Sequence, residues 1–377
     1  MFAIVADRFD LPSETFIRAH VRHIAPGRTV LLCGVDDGAR DLGCPVLCDI
    51  RSRPPPRGPL EQAFDAMRLR WWRHVDPALA GADEARVRAF LLRHGVRAVM
   101  AEFGYNGCLL MRACRRAGIP LYAYFHGRDA TQLARSRSRR RHYRRFFRQA
   151  AGSIAPSRFL ADRLRALGCP EDRLHVVPNG VDPAQFLPTR REPGRVIAVS
   201  RLVPMKGPLQ TIRAFAALRA AMPQATLDIV GDGPLRDDCM RLVAESGLAG
   251  AVTFHGTQPP ARVADLMSRA SLFVQHSVTT PDGLVESFGV APLEAAASAV
   301  PVVVTRSGGL AETVLDGETG LLVAENDVAG MAAAMQAILR DPARGEAMGR
   351  TARARVEATF RHEHVAARLR AIMGLPD

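Results

Sequence analysis

The sequence predicts an α/β protein of two domains, each built from βαβ units stacked on a parallel sheet. Three observations carry the prediction. At 377 residues the chain exceeds what one hydrophobic core usually serves. Short apolar runs alternate with helical patterns throughout. The alternation also restarts near residue 190, at the Pro/Arg-rich stretch Leu187 to Gly194, which marks a boundary. Domains are therefore expected at 1–187 and 188–350, followed by a segment 351–377. A helical pattern from about 344 to 373 is long enough to cross back to the first domain.

Met1 to Ala6 reads as a first strand, and Ser13 with Phe16 and Ile17 beyond it as the cap and first turn of a helix. Thr29 to Gly34 and Pro45 to Ile50 are further strands. Three consecutive prolines make the stretch from Arg51 to Pro59 a stiff loop, and helices are expected at about 59–75 and 82–94. Val96 to Glu102 is a strand giving way to a loop at Phe103-Gly104, with a helix over Cys108 to Gly118. Pro120 to Phe125 is a strand ending at His126-Gly127-Arg128-Asp129. From Ser153 come strand, helix (Ser157 to Leu167), strand (Leu174 to Val177) and the turn Pro178-Asn-Gly-Val-Asp. The second half repeats this rhythm: strand Arg195 to Ser200, loop Arg201 to Gly207, helix Pro208 to Ala221, strand Leu227 to Val230 ending in Gly231-Asp-Gly-Pro. After a helix over 235–246 and strands at Val252 and Ser271, Glu286-Ser-Phe-Gly-Val-Ala-Pro-Leu-Glu294 opens a helix expected over Leu293 to Ala299, Pro292 suiting its first turn.

Apolar residues at 47% and charged ones at 24% are ordinary for a globular chain, which argues against long disorder. No apolar run approaches the ~18–20 residues of a membrane span, and the first residues lack a signal-peptide pattern, so the cytoplasm is the expected location. The seven cysteines are odd in number and never form C-x-x-C pairs, which favours reduced thiols over disulfides or a zinc site. Net charge is +13, and the residues up to Arg190 hold 32 Arg against 18 acids. The excess thus lies wholly in the first half. Lys206 is the single lysine among 51 basic residues.

Chemistry concentrates in the second half. Glu286 in the loop and Glu294 about one turn into the helix can address one ligand beside unpaired helix N–H groups. Arg201-Leu-Val-Pro-Met-Lys206-Gly207 lies between a buried strand and a helix start, where open α/β sheets bind ligands; a guanidinium fork and a compact ammonium there suit a diphosphate, or are simply two exposed loop cations. Gly231-Asp-Gly-Pro alone is only a tight turn. No Asp-x-Asp pair occurs, so no metal is expected, and phosphate charge would fall to Arg201, Lys206 and helix N-termini.

Taken together these residues resemble the retaining glycosyltransferases of the GT-B type, family 4. The resemblance rests on Ala198-Val-Ser-Arg-Leu-x-x-x-Lys-Gly, Gly231-Asp-Gly-Pro, the Glu286/Glu294 pair, Ser307-Gly-Gly-x-x-Glu312 and Asp316-Gly-x-Thr-Gly-Leu-Leu-Val, in the family's order over most of 195–325. Ser13-Glu-Thr-Phe-Ile, Phe125-His-Gly-Arg-Asp and Val177-Pro-Asn-Gly-Val-Asp look like a subgroup building exopolysaccharide, of the colanic-acid type, or lipid-linked oligosaccharide.

The resemblance implies two Rossmann-like domains with an interdomain cleft, a nucleotide diphosphate sugar as donor, a glycan or polyprenyl-linked acceptor, and no cofactor. It implies that Arg201 and Lys206 hold the diphosphate and that Glu294 binds the ribose hydroxyls. Glu286 and the backbone of Phe288 and Gly289 would fix the transferred sugar and distal phosphate, with Gly231 and Ser287 also in the donor site. His126 would hydrogen-bond the sugar near its anomeric centre. Ser287 departs from the family, which commonly has Gly there. Glu14 serves equally well as an acceptor-side carboxylate or as a helix first-turn acid. Within enzymes the alternative is a nucleotide-sugar epimerase of the same layout.

From Arg128 to Arg148 there are nine Arg and one acid, with Tyr143, Phe146 and Phe147 interleaved. A solvated helix face, a nucleic-acid patch and an anionic membrane surface compete. The interleaved aromatics favour the membrane for Arg135 to Arg148, as a peripheral association, and nucleic acid comes last.

Overall fold

The computed structural model describes residues 1–9, 14–35, 38–50 and 77–376. Ser13, the proline loop after Arg51 and the helix expected at 59–75 lie outside the described residues. The chain forms two units, Met1–Val177 with Val365–Asp377, and Pro178–His364.

In the first unit, β1 (Phe2–Ala6), β2 (Thr29–Cys33), β3 (Val46–Leu47), β4 (Ala98–Glu102), β5 (Leu121–Tyr124), β6 (Gly152–Ala155) and β7 (Leu174–Val176) form one sheet in the order β3-β2-β1-β4-β5-β6-β7. Every pairing is parallel. β1 is buried along its whole length because both faces are covered: Ala3 and Val5 join one apolar cluster, Phe2, Ile4 and Ala6 the other. The connecting helices are α1 (Thr15–His23), α2 (Gly81–Arg93), α3 (Gly104–Ala117), α4 (Arg137–Gln149) and α5 (Arg158–Ala166). Ser157 caps α5 by accepting from the Leu160 N–H at 3.1 Å, as its position before the apolar run predicts.

The second unit repeats the plan. β8 (Arg195–Val199), β9 (Thr226–Val230), β10 (Val252–Gly256), β11 (Leu272–Gln275), β12 (Val302–Thr305) and β13 (Gly320–Val323) run parallel in the order β10-β9-β8-β11-β12-β13. Its helices are α6 (Pro208–Ala221), α7 (Arg236–Glu245), α8 (Pro260–Arg269), α9 (Val290–Ala297), α10 (Val328–Arg340) and α11 (Pro342–Thr359). In both sheets the strand order reverses beside the unit's first strand, the Rossmann arrangement that opens a crevice at the carboxyl ends of the strands.

The units divide about ten residues earlier than the Pro/Arg-rich stretch, at Val177/Pro178. The reason is packing: Val181 and Phe186 are buried in the second unit's core, the Val181 N–H donates to Phe360 O at 2.8 Å, and Arg353 donates to Phe186 O at 2.9 Å. The expected helix over 344–373 is two helices, α11 and α12 (His362–Met373). Ala352 and Val356 of α11 belong to the second unit's core, so the segment returning to the first unit starts at Val365 rather than at 351. There Val365, Ala366, Leu369 and Met373 cover one face of the first sheet, and the Tyr122 hydroxyl donates to Ile372 O at 3.2 Å.

Candidate active site

In the second unit, three loops leave the carboxyl ends of β8, β9 and β11 and touch through backbone. Gly207 has φ +55°, and a Cβ there would lie 1.8 Å from His276 O; Gly231 has φ +126°, and a Cβ there would lie 2.0 Å from Ser200 O. Only glycine permits either approach. Leu202 N–H donates to Asp232 O and Val278 N–H to Met205 O, both at 2.9 Å. Gly231, expected in the donor site, has a packing role: it lets the loop after β9 close against the loop after β8 that carries both Arg201 and Lys206.

Lys206 ends a short 3-10 turn, Pro204–Lys206, and its ammonium is ion-paired with the Glu286 carboxylate. Gln275 Nε2 donates to the same Glu286 oxygen at 3.4 Å, and the backbone N–H groups of Ser287 and Phe288 also point at the carboxylate. Glu286 is buried, which by itself would raise its pKa, but Lys206 and these N–H donors outweigh burial and hold it below the ordinary value. Its carbonyl accepts from Gly309 N–H at 2.9 Å, tying the loop after β11 to the one after β12.

Gly289, at φ +91°, precedes α9, and a Cβ there would lie 2.5 Å from the Leu310 side chain. The helix starts at Val290, before Pro292, and stops at Ala297 rather than Ala299. The Phe288 ring is core, packed 6.1 Å from the Phe360 ring, so only its backbone faces the loop; Ser287 is half-buried. Glu294, also half-buried, has no hydrogen bond or ion pair to its carboxylate among the described residues, and burial pushes its pKa up to about 7. Arg201 is exposed and has no carboxylate partner among the described residues.

The first unit places His126 just past β5. Its Nε2 lies 2.7 Å from Glu102 Oε2, and His20 Nδ1 on α1 lies 2.7 Å from Glu102 Oε1. Glu102, the last residue of β4, is fully buried; burial favours its neutral form, but His20 and His126 override this and depress its pKa to about 2. The rings of Phe16, Tyr124 and Phe103 lie 4.1, 4.5 and 5.0 Å from that of His126, whose side chain is only 5% exposed. Asp129 anchors the loop by accepting from the backbone N–H groups of Gly104, His126, Gly127 and Ala130. Glu102, His20 and Gln275 were not singled out in the sequence, although a carboxylate ending an apolar strand, as Glu102 ends Val96 to Glu102, stands where α/β sheets bind ligands.

The Arg-rich stretch is helix α4, and here one expectation changes. Tyr143, Phe146 and Phe147 are buried in the first unit's core, with the Tyr143 hydroxyl donating to Asp129 O at 3.0 Å, and so are not available to lie on lipid. The exposed face is cationic, formed by Arg137, Arg140, Arg141, Arg144 and Arg148. Among the described residues no helix is long and apolar enough to cross a membrane, and no cluster of His, Cys, Asp or Glu is placed to hold a metal ion.

The family model for glycosyl transferases group 1 matches residues 184–355, and that for glycosyltransferase family 4 matches residues 38–185. A GDP-mannose-dependent α-(1-6)-phosphatidylinositol monomannoside mannosyltransferase of Mycolicibacterium smegmatis is 34% identical over 281 residues, 70% of this chain and 73% of the relative. An amylovoran biosynthesis glycosyltransferase of Erwinia amylovora is 28% identical over 71% of this chain and 67% of its own. In fold, a crystal structure of Anabaena HepE with UDP and glucose superposes with a TM-score of 0.79 over 99% of both chains at 20% identity. None of these relatives is an epimerase or a nucleic-acid-binding protein. The strand order, the strand-end loops and these likenesses agree, and the chain belongs to the group 1 glycosyltransferases.

Proposed function

We propose that the protein is a retaining, metal-independent glycosyltransferase that moves a sugar from a nucleotide diphosphate donor to a glycan or lipid-linked glycan in the assembly of a cell-surface polysaccharide or glycolipid. The observation that carries the reading is the Lys206–Glu286 pair, set at the strand ends of the second unit beside the exposed Arg201. Relatives support the substrate classes: one acts by its name on GDP-mannose and a phosphatidylinositol mannoside, another in amylovoran synthesis.

In this reading Arg201 and Lys206 take the diphosphate, and their charge stabilises the leaving phosphate oxygen as the bond to the anomeric carbon breaks. Glu286, held ionised, accepts hydrogen bonds from the hydroxyls of the transferred sugar, and the backbone of Phe288 and Gly289 meets the sugar and distal phosphate. Glu294 accepts from the ribose hydroxyls. His126 contacts the sugar near its anomeric centre. The acceptor hydroxyl oxygen attacks that carbon from the face the phosphate leaves, its proton passing to the departing phosphate oxygen. One bond forms and one breaks on the same face, so configuration is retained.

The cytoplasmic face of an anionic membrane fits the Arg face of α4. Because the aromatics are in the core, attraction there is electrostatic only, about 1 kcal/mol per Arg near the surface, and fades with salt. Co-sedimentation with anionic vesicles should therefore be lost at high salt and in an R140S/R141S/R144S variant; equal sedimentation by that variant rejects the surface. The activity itself is tested by screening UDP-, GDP- and dTDP-sugars with extracted membrane lipid as acceptor. Nucleoside diphosphate released only with acceptor, a product of retained anomeric configuration by NMR, and turnover unaffected by EDTA are expected. Release without acceptor, inversion or a metal requirement would each refute the corresponding part.

A further inference from the structure

The first unit buries the side chains of Glu102, His20 and His126 against one another, a kind of cluster that well-packed apolar residues can often replace without loss of stability. Removing a carboxylate from water is costly, and a buried charged cluster adds little stability over a hydrophobic one. A network that served only to satisfy buried groups would also be closed. This one is not: His20 Nε2 is buried with no hydrogen-bond partner among the described residues.

What the network does accomplish is to define His126. An ionised carboxylate can only accept hydrogen bonds, so the ring nitrogens facing Glu102 carry protons: Nδ1 of His20 and Nε2 of His126, each at 2.7 Å. Neutral or charged, His126 keeps the Nε2 proton in this arrangement. The rings of Tyr124 and Phe16 fix its plane, and Asp129 holds its backbone N–H at 3.1 Å.

We propose that Glu102 is a positioning residue of the transfer reaction: by taking the Nε2–H of His126 it fixes that ring's tautomer and orientation, so that His126 meets the donor sugar in one form. The inference rests on the reading of His126 as a sugar contact. A carboxylate that orients a histidine acts through it rather than on the substrate.

The test uses the full chain labelled with ¹⁵N-histidine, His126 being assigned by its loss in His126→Asn. In the native protein neutral His126 should show the Nε2–H tautomer. In Glu102→Leu that preference disappears, and kcat falls about 10- to 100-fold while the donor KM moves by less than about twofold, the pattern of a lost orienting group. Glu102→Gln keeps the shape but offers one acceptor to two imidazoles, so His126 should show mixed tautomers and an intermediate kcat; it decides the matter if Glu102→Leu does not fold. An unchanged tautomer in these variants, or a changed tautomer with native kcat, overturns the proposal. If the native protein transfers no sugar from any donor, the proposed function fails; if it does and Glu102→Gln turns over equally fast, only this inference fails.

Discussion

The two units share one strand order but treat the carboxylates at their candidate sites in opposite ways. In the first, Glu102 has a partner on each oxygen, and Asp129 is ringed by backbone N–H groups. In the second, Glu286 has one charged partner, a lysine that is itself partly exposed, beside Gln275 and two backbone N–H groups, and Glu294 has no partner among the described residues. The difference teaches where ligand binding energy is to be gained. The two carboxylates of the first unit are completed by protein and orient the groups that surround them. The site residues of the second are left with capacity, which on the proposed reading a donor's phosphates and hydroxyls would fill.

The largest effect expected from breaking this contrast is at Glu286. Glu286→Gln removes the negative charge and one of the two acceptor oxygens offered to the sugar, and frees Lys206 from its counter-charge. Turnover should fall about 10³-fold, while the diphosphate binds as well or better. Steady-state kinetics with calorimetry on the free nucleotide measures both, and near-normal turnover would remove Glu286 from the site. Lys206→Ala does the reverse: it strips a cation from the phosphates and leaves Glu286 buried without its partner. A loss of about 10²-fold in kcat/KM is expected, together with a lower melting temperature that Glu286→Gln does not share. The double variant should recover the lost stability but not the activity. If it recovers neither, the pair is not coupled in the folded protein.

The fold and the strand-end loops were legible in the sequence, the contrast between the units much less so. The alternation of strands and helices predicted both sheets, because parallel strands covered on both faces must be continuously apolar. The loops carrying Arg201, Lys206 and Glu286 were identifiable because ligand sites cluster at such strand ends. The direct contact between Lys206 and Glu286 was not, since it joins residues 80 apart and depends on glycine-mediated contact between loops. Glu102 and His20, 82 residues apart, escaped for the same reason. The misassigned face of α4 is different: Tyr143, Phe146 and Phe147 stand at i, i+3 and i+4, the spacing of a core stripe, so the sequence carried the correct reading and the charge of the arginines obscured it.

The smallest expected effect sharpens the contrast most directly, because it is reversible with pH. Burial raises the Glu294 pKa from 4.5 to about 7, so between those values the folded state holds a proton that the unfolded chain has released. Stability without ligand should therefore decline as pH rises through this window, the contribution being complete below 4.5 and lost above about 7. Donor binding should run the other way. An ionised Glu294 accepts from both ribose hydroxyls, whereas the protonated acid has lost part of that capacity. Affinity for an intact nucleotide sugar, whose phosphates do not titrate near neutrality, should rise about tenfold between roughly pH 6 and 8. Glu294→Gln should flatten both profiles and bind the donor with the weaker affinity throughout. A native binding profile that is flat, or one whose slope survives in Glu294→Gln, would show that Glu294 is already satisfied by protein, as Glu102 is, and the contrast between the units would then rest on Lys206 and Glu286 alone.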